Sequence, residues 1–500
     1  MKPPAFALHD EPRKFEVDEM FFSTTDRRGV IQLGNAIFVR VSGYPEAQLL
    51  GSPHNLIRHP DMPRAAFRLV WRRLLAGRPV VAYVKNLAAD GRYYWVVALI
   101  TAIAGGFLSI RFKPTSPLFE TVQKLYADMR AAESALANQP DGGRHGMDAA
   151  DEVLAATLKA HHWADYDAFM RVLLHEELRV REGVLRREDR RIIPGWPDGF
   201  VATGSAAKLA GCLRAVYDGG NKAYAHITTL YRRLDEFAAL NERLEEKSRF
   251  VLGLTREFRF ISINAALEST RLGEAGRSLD VIARYLGEMS AQISRTVEGL
   301  TARIHGVLEK LRMLIFHFSV VRLQMEMTLV FCRESLDALT ADAGVVDGSV
   351  LASHRRMIEQ LQRAFHETNQ LAVVELRSME GELQRLDQLS QDLHRTVTAL
   401  QVAHVAGLIE VNHLHNEQAF AGMFGDVRVQ IDTTRDELVE LDSIIEQLSA
   451  LAREAPVVAA VVTAAAEQMD RDVAGLSAQT LEATPLRPEG RVGSAVGAGG

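Results

Sequence analysis

Apolar residues recur every three or four positions through much of the C-terminal two thirds of the chain, and this spacing constrains the fold most strongly. One series runs through Ile282, Leu286, Met289, Ile293, Val297, Leu300, Ile304, Val307 and Leu311. A second runs through Leu383, Leu386, Leu389, Leu393, Val397 and Leu400. Alternating steps of three and four place such side chains along one face of a helix. The pattern predicts long helices that pack against other helices.

Pro- and Gly-rich segments divide this helical part. Residues 138–146 (NQPDGGRHG) are expected to form a flexible linker, residues 193–204 hold two prolines and three glycines, and residues 341–350 (ADAGVVDGSV) interrupt the heptad pattern. We predict a helical connector with flexible breaks over 121–204, a helical hairpin over 205–340, a C-terminal helical region over 351–455 and a disordered tail over 483–500. Because a long seam needs another helix to cover it, we expect a homodimer whose hairpins pair into a four-helix bundle.

The N-terminal part has a different pattern. After an arm over 1–14, residues 15–120 alternate strand-like runs with short helical pieces, and turn residues lie between them. The strand-like runs are Phe21–Thr25, Val30–Leu33, Val80–Asn86, Tyr93–Ala102 and Gly106–Phe112. Two strands, short helices and a three-strand meander make a compact α+β order. The fold class expected for the whole chain is therefore an α+β domain followed by a mostly α-helical, coiled-coil bundle.

Composition narrows the function classes. Of 500 residues, 47% are apolar and the net charge is −6, with no block of Lys or Arg that would indicate a nucleic-acid track. The two cysteines form no CxxC pair, which fits a reducing cytoplasm. Both apolar stretches that come nearest to a membrane span, at 96–107 and 313–321, fall short of about 20 residues. We therefore expect a cytoplasmic protein with no membrane span of its own.

Several residues of the N-terminal part are suited to holding a cofactor. Arg58 and His59 precede a Pro and Asp61, so two donors and one acceptor share a rigid turn. Trp71 offers a flat surface for stacking, and Asn86 and Trp95 lie on strands expected to line the sheet. Such groups can grip a pyrophosphate, a ribose or a flavin edge.

The string HNLIRHPDMP over 54–63, together with Asn35, Trp71, Asn86 and Trp95, resembles the PAS domain of bacterial aerotaxis receptors over roughly residues 15–130. Family members of this type bind FAD noncovalently and respond to its redox state. The resemblance implies a PAS sensor domain with FAD held by Asn35, Arg58, His59, Asp61, Trp71, Asn86 and Trp95. The family commonly has a Trp after the Pro that precedes its Lys-Asn strand, whereas here Pro79 is followed by Val80.

Two other readings of this domain stay open. Haem b is the competing cofactor, because other PAS domains bind it through a histidine, and His54 and His59 are the candidates. A PAS fold with no cofactor, which acts as an interaction module alone, is the third reading.

A Gly-containing turn lies between two helical arms at residues 264–283 (NAALESTRLGEAGRSLDVIA). Gly273 and Gly276 allow the chain to reverse, and Glu268 and Arg271 share a helical face because they are three apart. The ordered string resembles the hairpin tip of methyl-accepting chemotaxis proteins, which contacts the CheA kinase and the CheW coupling protein. The resemblance implies a partner-binding site at Asn264, Glu268, Arg271, Gly273, Glu274 and Val281. The sequences flanking the tip, Glu257-Phe258-Arg259 and Tyr285-Leu286-Gly287, depart from the family pattern.

Taken together, the sequence predicts a soluble transducer that senses redox state or oxygen and signals through the hairpin to a CheA/CheW-type complex, as a dimer and possibly in higher arrays. The alternative is a PAS-regulated dimeric scaffold outside chemotaxis. The sequence contains no Ser/His/Asp triad, P-loop, paired carboxylates or metal-ligand spacing, so neither an enzyme nor a metal site is predicted.

Overall fold

The computed structural model of the protein describes residues 8–197, 204–271, 273–341, 348–413 and 417–481. The N-terminal domain contains a five-stranded antiparallel sheet in the order β2-β1-β5-β4-β3. Its strands are β1 (Phe21–Asp26), β2 (Ile31–Gly34), β3 (Val80–Leu87), β4 (Tyr93–Ile103) and β5 (Gly106–Phe112). The predicted strands are confirmed to within one residue at most ends, because their alternating apolar pattern and Gly-containing turns are strong local signals.

Short helices cover one face of this sheet. They are α1 (Ala36–Ser42), α2 (Glu46–Leu49), a single 3₁₀ turn (His54–Ile57) and α3 (Arg64–Leu75). The side chain of Asn35 begins α1 by accepting a hydrogen bond from the backbone N–H of Phe38. Helix α3 begins after Pro63, whose fixed φ and missing N–H suit a helix start. These elements enclose a space against the middle of the sheet.

Three further helices follow: α4 (Leu118–Ala135), α5 (Gly142–Ala160) and α6 (Tyr166–Arg187). Helices α4 and α6 cover the other face of the sheet, and α5 packs against α4 and α3. The hydroxyl of Tyr83 on β3 donates a hydrogen bond to the buried carboxylate of Glu177 on α6. The ring of Trp95 on β4 packs edge-on against Phe119 of α4, with centroids 5.3 Å apart. The sheet is therefore sandwiched between two helical layers.

The first predicted flexible linker is shorter than expected. Helix α5 begins at Gly142, within the predicted linker 138–146. A Cβ atom at Gly142 would lie 2.0 Å from the carbonyl oxygen of Leu136, and one at Gly146 would lie 2.9 Å from that of Glu133. These glycines allow α4 and α5 to approach closely, so their role is packing. Part of the second predicted break, residues 198–203, lies outside the described residues.

Four long helices form the rest of the protein. Hairpin one consists of α7 (Gly204–Arg271), a 3₁₀ turn (Gly273–Gly276) and α8 (Arg277–Ala341), and hairpin two consists of α9 (Gly348–His413) and α10 (Glu417–Leu481). Helix α7 contacts α8, α8 contacts α9, α9 contacts α10, and α10 contacts α7. One chain therefore supplies a closed four-helix bundle.

Both predicted apolar seams point into this bundle. Leu300 and Ile304 of α8, and Leu386 and Leu393 of α9, are fully buried and belong to the same apolar core. The structure corrects the reason for expecting a homodimer, since hairpin two of the same chain covers the seam of hairpin one. Two copies that associate would use surfaces outside this core.

Two described helices are long and apolar enough to cross a membrane by length and composition, within 277–339 and 425–474. The most apolar window of the first is 94% buried inside the protein and that of the second is 29% buried. The first is thereby explained as a core helix of the bundle, since its apolar side chains are covered by the neighbouring helices.

Candidate functional site

A partly open cavity of about 270 Å³ lies between the sheet and helix α3. Its size is just below the range of roughly 300–1,000 Å³ typical of small-molecule sites. The strands contribute Val84, Asn86, Ala98, Ile100, Phe107, Ser109 and Arg111 to its lining. The helical side contributes His54, Arg58, Phe67, Val70, Trp71 and Leu74. An apolar, aromatic wall with a few polar groups is typical of a site for a flat organic ligand.

Arg111 on β5 is the most unusual residue of the cavity, because its guanidinium is only 2% exposed and no carboxylate pairs with it among the described residues. Its Nη2 atom donates a hydrogen bond to Ser23 Oγ at 3.0 Å and lies 2.6 Å from His54 Nε2. The guanidinium carbon lies 5.3 Å from the centre of the Phe38 ring. Burial lowers the pKa of Arg111 to about 10, so the group remains charged at neutral pH.

His54 is held in its neutral form by this arrangement. Burial, and then the charge of Arg111, lower the pKa of His54 to about 3. Its Nε2 atom accordingly accepts a hydrogen bond from Arg111, and its ring stacks on Phe38 with centroids 6.4 Å apart. Because a haem iron would need a free imidazole nitrogen, this hydrogen bond disfavours His54 as an axial ligand.

Three polar atoms of cavity-lining residues are buried without a hydrogen-bond partner in the described part of the chain. They are Arg58 Nε, Asn86 Nδ2 and Ser109 Oγ. An unpaired buried polar group costs about 1–3 kcal/mol. A ligand with carbonyl and ring-nitrogen acceptors would satisfy the two nitrogen donors, and the chemistry of a flavin ring edge fits this set.

The structure brings together three of the seven residues predicted to hold a cofactor: Arg58, Trp71 and Asn86 line the cavity. Trp71 packs edge-on against Phe107, with centroids 5.7 Å apart. The guanidinium of Arg58 lies 4.2 Å above the Phe67 ring and donates to the carbonyl oxygen of Met62. Both side chains are thus fixed by packing before any ligand binds.

The other four predicted residues lie outside the lining. Ala98 and Ile100 of β4 face the cavity. Successive side chains of a strand point to opposite faces, so Trp95, an odd number of residues from both, lies on the opposite face of the sheet against Phe119. Asp61 is 63% exposed and pairs with Lys85, with Nζ and Oδ2 atoms 2.6 Å apart.

His59 is buried next to this pair. Its Nδ1 atom accepts a hydrogen bond from the backbone N–H of Asp61 at 3.1 Å. Burial and the charge of Lys85 lower the pKa of His59 to about 4. His59 therefore acts here as a neutral acceptor that stabilises the Pro-Asp turn.

Asn35 connects the N-terminal domain to hairpin one. Its Oδ1 atom accepts from the backbone N–H of Phe22, while its Nδ2 atom donates to Glu334 of α8 at 2.9 Å. Glu334 also accepts a hydrogen bond from the backbone N–H of Ala36. On the same face, the ring of Phe22 packs at a right angle on Phe331 of α8, with centroids 5.3 Å apart. Strand β1 thus bonds to the cavity residue Arg111 through Ser23 and contacts hairpin one through Phe22.

A second connection consists of a buried ionic network. Arg181 of α6 donates to the carbonyl oxygen of Val17 and to Glu326 of α8, and both charged side chains are at most 1% exposed. Its guanidinium carbon lies 5.2 Å from the Phe112 ring of β5. Glu326 also accepts from Arg322 at 3.0 Å. Helix α6 therefore connects the sheet to the C-terminal part of α8.

Sequence reasoning missed Arg111, Ser109 and the joint at Glu334. Phe107, Ser109 and Arg111 alternate along β5, so all three side chains lie on one face of the sheet. An arginine within a strand of otherwise apolar character is unusual, and this signal could have pointed to Arg111. Glu334 carries no such signal, because the sequence does not reveal which helix lies against α1.

The predicted partner-binding residues lie at the far end of hairpin one. Gly273 has a φ of 61°, in the region that favours glycine, and Asn264 is exposed. Glu268 pairs with Arg271, and Glu274 pairs with Arg277. Among the side chains that the structure describes there, the large apolar ones that are exposed are Phe260, Ile263, Leu267, Val281 and Tyr285. The tip thus combines an exposed apolar surface with local ion pairs.

Comparison with known proteins supports the assignment of the N-terminal domain. Residues 34–106 match the family described as PAS fold. The N-terminal domain is a PAS domain. Its five-stranded antiparallel sheet with short helices over one face agrees with that match.

Similar curated proteins are signalling proteins by name. The aerotaxis receptor of Escherichia coli is 39% identical over 123 residues, which is 24% of this chain and 24% of the receptor. The nitrogen fixation regulatory protein of Klebsiella pneumoniae is 31% identical over 124 residues, covering 24% of this chain and 25% of that protein. The methyl-accepting chemotaxis protein McpA of Pseudomonas putida is 23% identical over 190 residues, covering 35% of this chain and 30% of that protein. The chain thus spans about a quarter of the length of these relatives.

Proposed function

We propose that this protein is a cytoplasmic transducer that reads the redox state of FAD in its PAS domain and signals through hairpin one. The observation that carries the proposal is the cavity with a buried, carboxylate-free Arg111 and unpaired Asn86 and Arg58 nitrogens. Similarity to the aerotaxis receptor and to a methyl-accepting chemotaxis protein supports the same class of function.

The cavity suits the flavin ring rather than a whole dinucleotide, because its volume is about 270 Å³. Trp71 and Phe107 would border the ring, and Arg58, Asn86 and Arg111 would donate hydrogen bonds to its polar edge. When bound, the flavin supplies reversible electron uptake, which changes the charge and hydrogen bonding at that edge. The remaining FAD would extend toward solvent through the open side.

Arg111 is the residue best placed to respond. Its Nη2 atom already bonds Ser23 Oγ on β1, so a stronger pull on the guanidinium from inside the cavity would weaken that bond. The neighbouring Phe22 faces the other side of β1 and packs on Phe331. A small displacement of β1 would therefore move the contacts of α8, and the equilibrium between two packings of α8 would shift.

The output surface proposed here is the tip of hairpin one. Exposed apolar residues at Ile263, Leu267 and Val281 would bind a CheA-type kinase or a CheW-type coupling protein, with Asn264 and Glu268 beside them. Each chain forms one four-helix bundle and provides one such tip. Dimers or larger arrays would form by contacts between the outer surfaces of these bundles.

The first experiment concerns the cofactor. We expect purified protein to show a flavin absorption spectrum, and denaturation to release FAD at close to one equivalent per chain. Arg111→Ala and Arg58→Ala should each lower the retained FAD by about tenfold or more, because charge-assisted hydrogen bonds are lost. Arg40→Ala, which removes a half-exposed guanidinium of α1 outside the cavity lining, serves as the comparison for a general effect of charge.

Retention of stoichiometric FAD by both Arg111→Ala and Arg58→Ala would refute the assigned site. A Soret band would identify haem b, and a colourless protein would favour an interaction module without a cofactor. Circular dichroism of each variant shows whether the domain is still folded.

The second candidate function is a PAS-regulated scaffold outside chemotaxis. It is favoured by the departures around the tip, where Tyr285 and Glu257 replace residues of the family pattern. Capture of CheA and CheW on the immobilised full-length protein separates the two functions. Binding supports the chemoreceptor-like output, and its absence supports the scaffold.

A further inference from the structure

The outer face of helix α10 carries an apolar stretch that the other helices of the bundle leave uncovered. Residues 455–466 (APVVAAVVTAAA) contain no charged side chain. Val457 is 66% exposed and Val461 is 42% exposed, and Ala460 and Ala464 are exposed with them. The outer face of a surface helix normally carries charged and polar residues. An apolar outer face of about three turns therefore indicates a surface that contacts another molecule.

This face of α10 lies on the side of the bundle away from the main contacts of the PAS domain. Those contacts are made by α8, whereas α10 packs between α7 and α9 and lies diagonally opposite α8. A Cβ atom at Gly220 of α7 would lie 3.0 Å from Leu329 of α8 and 3.5 Å from Met469 of α10. The face is thus level with the joint between α8 and the PAS domain, and it is open to a partner on the opposite side.

A pocket of about 300 Å³ opens beside the same face, between α10 and α7. Its lining consists mostly of apolar side chains, among them Leu230, Leu234, Met379, Val457 and Val458. A partner that packs on α10 can bury an apolar side chain in this pocket. The core of a protein interface combines such pockets with well-packed apolar contacts.

The spacing and the charges of the face indicate which partner fits it. The exposed residues Arg453, Val457, Ala460, Ala464 and Glu467 follow steps of four and three, the spacing of a coiled-coil seam. The ion pairs in the described part of the chain include neither Arg453 nor Glu467. With a positive charge at one end and a negative charge at the other, the face is complementary to its own copy in the antiparallel direction. A parallel copy would bring like charges together at both ends.

We propose that this face of α10 binds the same face of a second copy and forms an antiparallel homodimer. Val457 lies opposite Ala460 of the second copy, and Arg453 lies within one helical turn of its Glu467. Because the two-fold axis repeats each contact, the dimer contains two such ion pairs. The small side chain of Ala460 at the centre allows the two helices to approach closely.

The arrangement has consequences for the whole assembly. The contact ends where Glu446 lies opposite Arg471 of the second copy, so it spans about 38 Å of helix. The PAS domains lie on the outer sides, and the two hairpin tips point in opposite directions. The inference supplies a surface for the dimer that the proposed function includes, and it rests on that function in this respect alone. It requires neither flavin binding nor CheA capture.

The experiment is sedimentation velocity of the purified full-length protein at concentrations from about 1 to 100 µM, over which we expect dimer to replace monomer. Val457→Asp should weaken the dimer by about tenfold or more, because the contact would bury an unpaired charge. Val429→Asp is the matched control, at a site 63% exposed on the same helix. It should leave the dimer unchanged, because Val429 lies about 40 Å along α10 from Val457, outside the antiparallel contact. Circular dichroism checks that both variants are folded.

A charge reversal tests the direction of the two helices. Arg453→Glu should weaken the dimer by about fivefold or more, because it replaces two attractions by two repulsions. The double variant Arg453→Glu/Glu467→Arg should restore it, since the same pairs form with their charges exchanged. Small-angle X-ray scattering gives a second measure, with a long axis of about 130 Å for the antiparallel dimer and about 100 Å for a parallel one.

A monomer at the highest concentration, or equal dimerisation of Val457→Asp and the wild-type protein, would overturn the proposed surface. Loss of the dimer in Val429→Asp as well, or no restoration by the double variant, would overturn the antiparallel arrangement. Flotation of the wild-type protein, but not of Val457→Asp, with phosphatidylcholine vesicles would show that the face binds a lipid surface instead. The flavin spectrum and the capture of CheA test the proposed function separately, so that either proposal can fail without the other.

Discussion

The two hairpins of the bundle are nearly equal in length but differ in what they contact. Helices α7 and α8 have 68 and 65 residues, and α9 and α10 have 66 and 65. Hairpin one receives the hydrogen bonds from Asn35 and Arg181 through Glu334 and Glu326. Hairpin two touches strand β4 of the PAS domain through α9. The polar joints to the sensor thus converge on hairpin one.

The far ends of the hairpins also differ. Among the side chains that the structure describes, hairpin one exposes the aromatic rings of Phe260 and Tyr285 on the two arms that flank the Gly273 turn, whereas hairpin two exposes the aliphatic side chains of Val402, Val405, Ile409 and Val429. Both hairpins contribute residues to the shared core. The comparison agrees with the proposed division of roles, in which hairpin two stabilises the bundle as a second copy would in a dimer and hairpin one would carry the signal.

The largest expected effect comes from a charge in the shared core. Leu386 of hairpin two is fully buried, so Leu386→Asp should lower the free energy of unfolding by more than about 4 kcal/mol. Because the hairpins share one core, both should unfold together in a denaturant titration followed by circular dichroism. The matched variant Val402→Asp, at a site 67% exposed, should change stability by less than about 0.5 kcal/mol.

Two separate transitions in Leu386→Asp, with half of the helix unaffected, would contradict a shared core. Hairpin two would then be an appended unit and the comparison would lose its basis.

The next effect tests the buried joint of hairpin one. Glu326→Gln leaves Arg181 buried without a counter-charge and leaves Arg322 with Glu182 as its remaining partner, and we expect a loss of about 3–5 kcal/mol. Glu382 of hairpin two pairs with Arg303 and Lys310 across the hairpins at the bundle surface. Glu382→Gln should cost about 1 kcal/mol or less. Equal losses in urea titrations would show that the joint to the PAS domain has no special role.

Lowering the pH is expected to have an intermediate effect on the stability of the PAS domain. Burial and Arg111 hold the folded-state pKa of His54 at about 3, below its ordinary 6.5. The unfolded chain therefore takes up the proton first as the pH falls below 6.5, and the PAS domain loses roughly 2 kcal/mol by about pH 5. His54→Gln should remove that part of the loss. Thermal unfolding at pH 7 and pH 5 measures it, and an identical pH dependence in both proteins would contradict the assigned environment.

A substitution at the tip of hairpin one is expected to have the smallest effect on stability and the largest effect on partner binding. Val281→Lys changes a side chain that is 62% exposed, so unfolding should shift by less than about 0.5 kcal/mol. Capture of CheA and CheW should nevertheless fall by at least about tenfold, because a charge replaces an apolar contact. Val429→Lys, at the equivalent exposure of 63% on hairpin two, should keep full capture. Loss of capture in both variants would remove the distinction between the hairpins.

The sequence predicted much of this architecture for identifiable reasons. Strand alternation and glycine turns located all five strands, and the spacing of residues such as Leu300 and Leu393 located the buried faces of the long helices. The same spacing could not show which helices cover a seam, because a partner helix from the same chain and one from a second copy satisfy it equally. The apolar seam was therefore not a valid reason to predict a homodimer.

The site was predicted only in part, also for a physical reason. Arg58 and Trp71 belong to a distinctive local string, and both line the cavity. Arg111 lies far along the chain and is brought to them by the sheet order, which sequence spacing does not reveal. Trp95 lies on the opposite face because the register of β4 against β3 pairs Trp95 with Lys85, not with Asn86, and sequence spacing does not reveal that register.

The central claim is that the state of the PAS cavity reaches hairpin one through strand β1. Hydrogen exchange of the full-length protein, oxidised and then chemically reduced under anaerobic conditions, tests it most directly. We predict a change in amide protection of α8 around Phe331 and Glu334, with no change in the parts of α10 that face away from the PAS domain. Identical exchange of α8 in both redox states, in protein whose flavin spectrum shows complete reduction, would contradict the account.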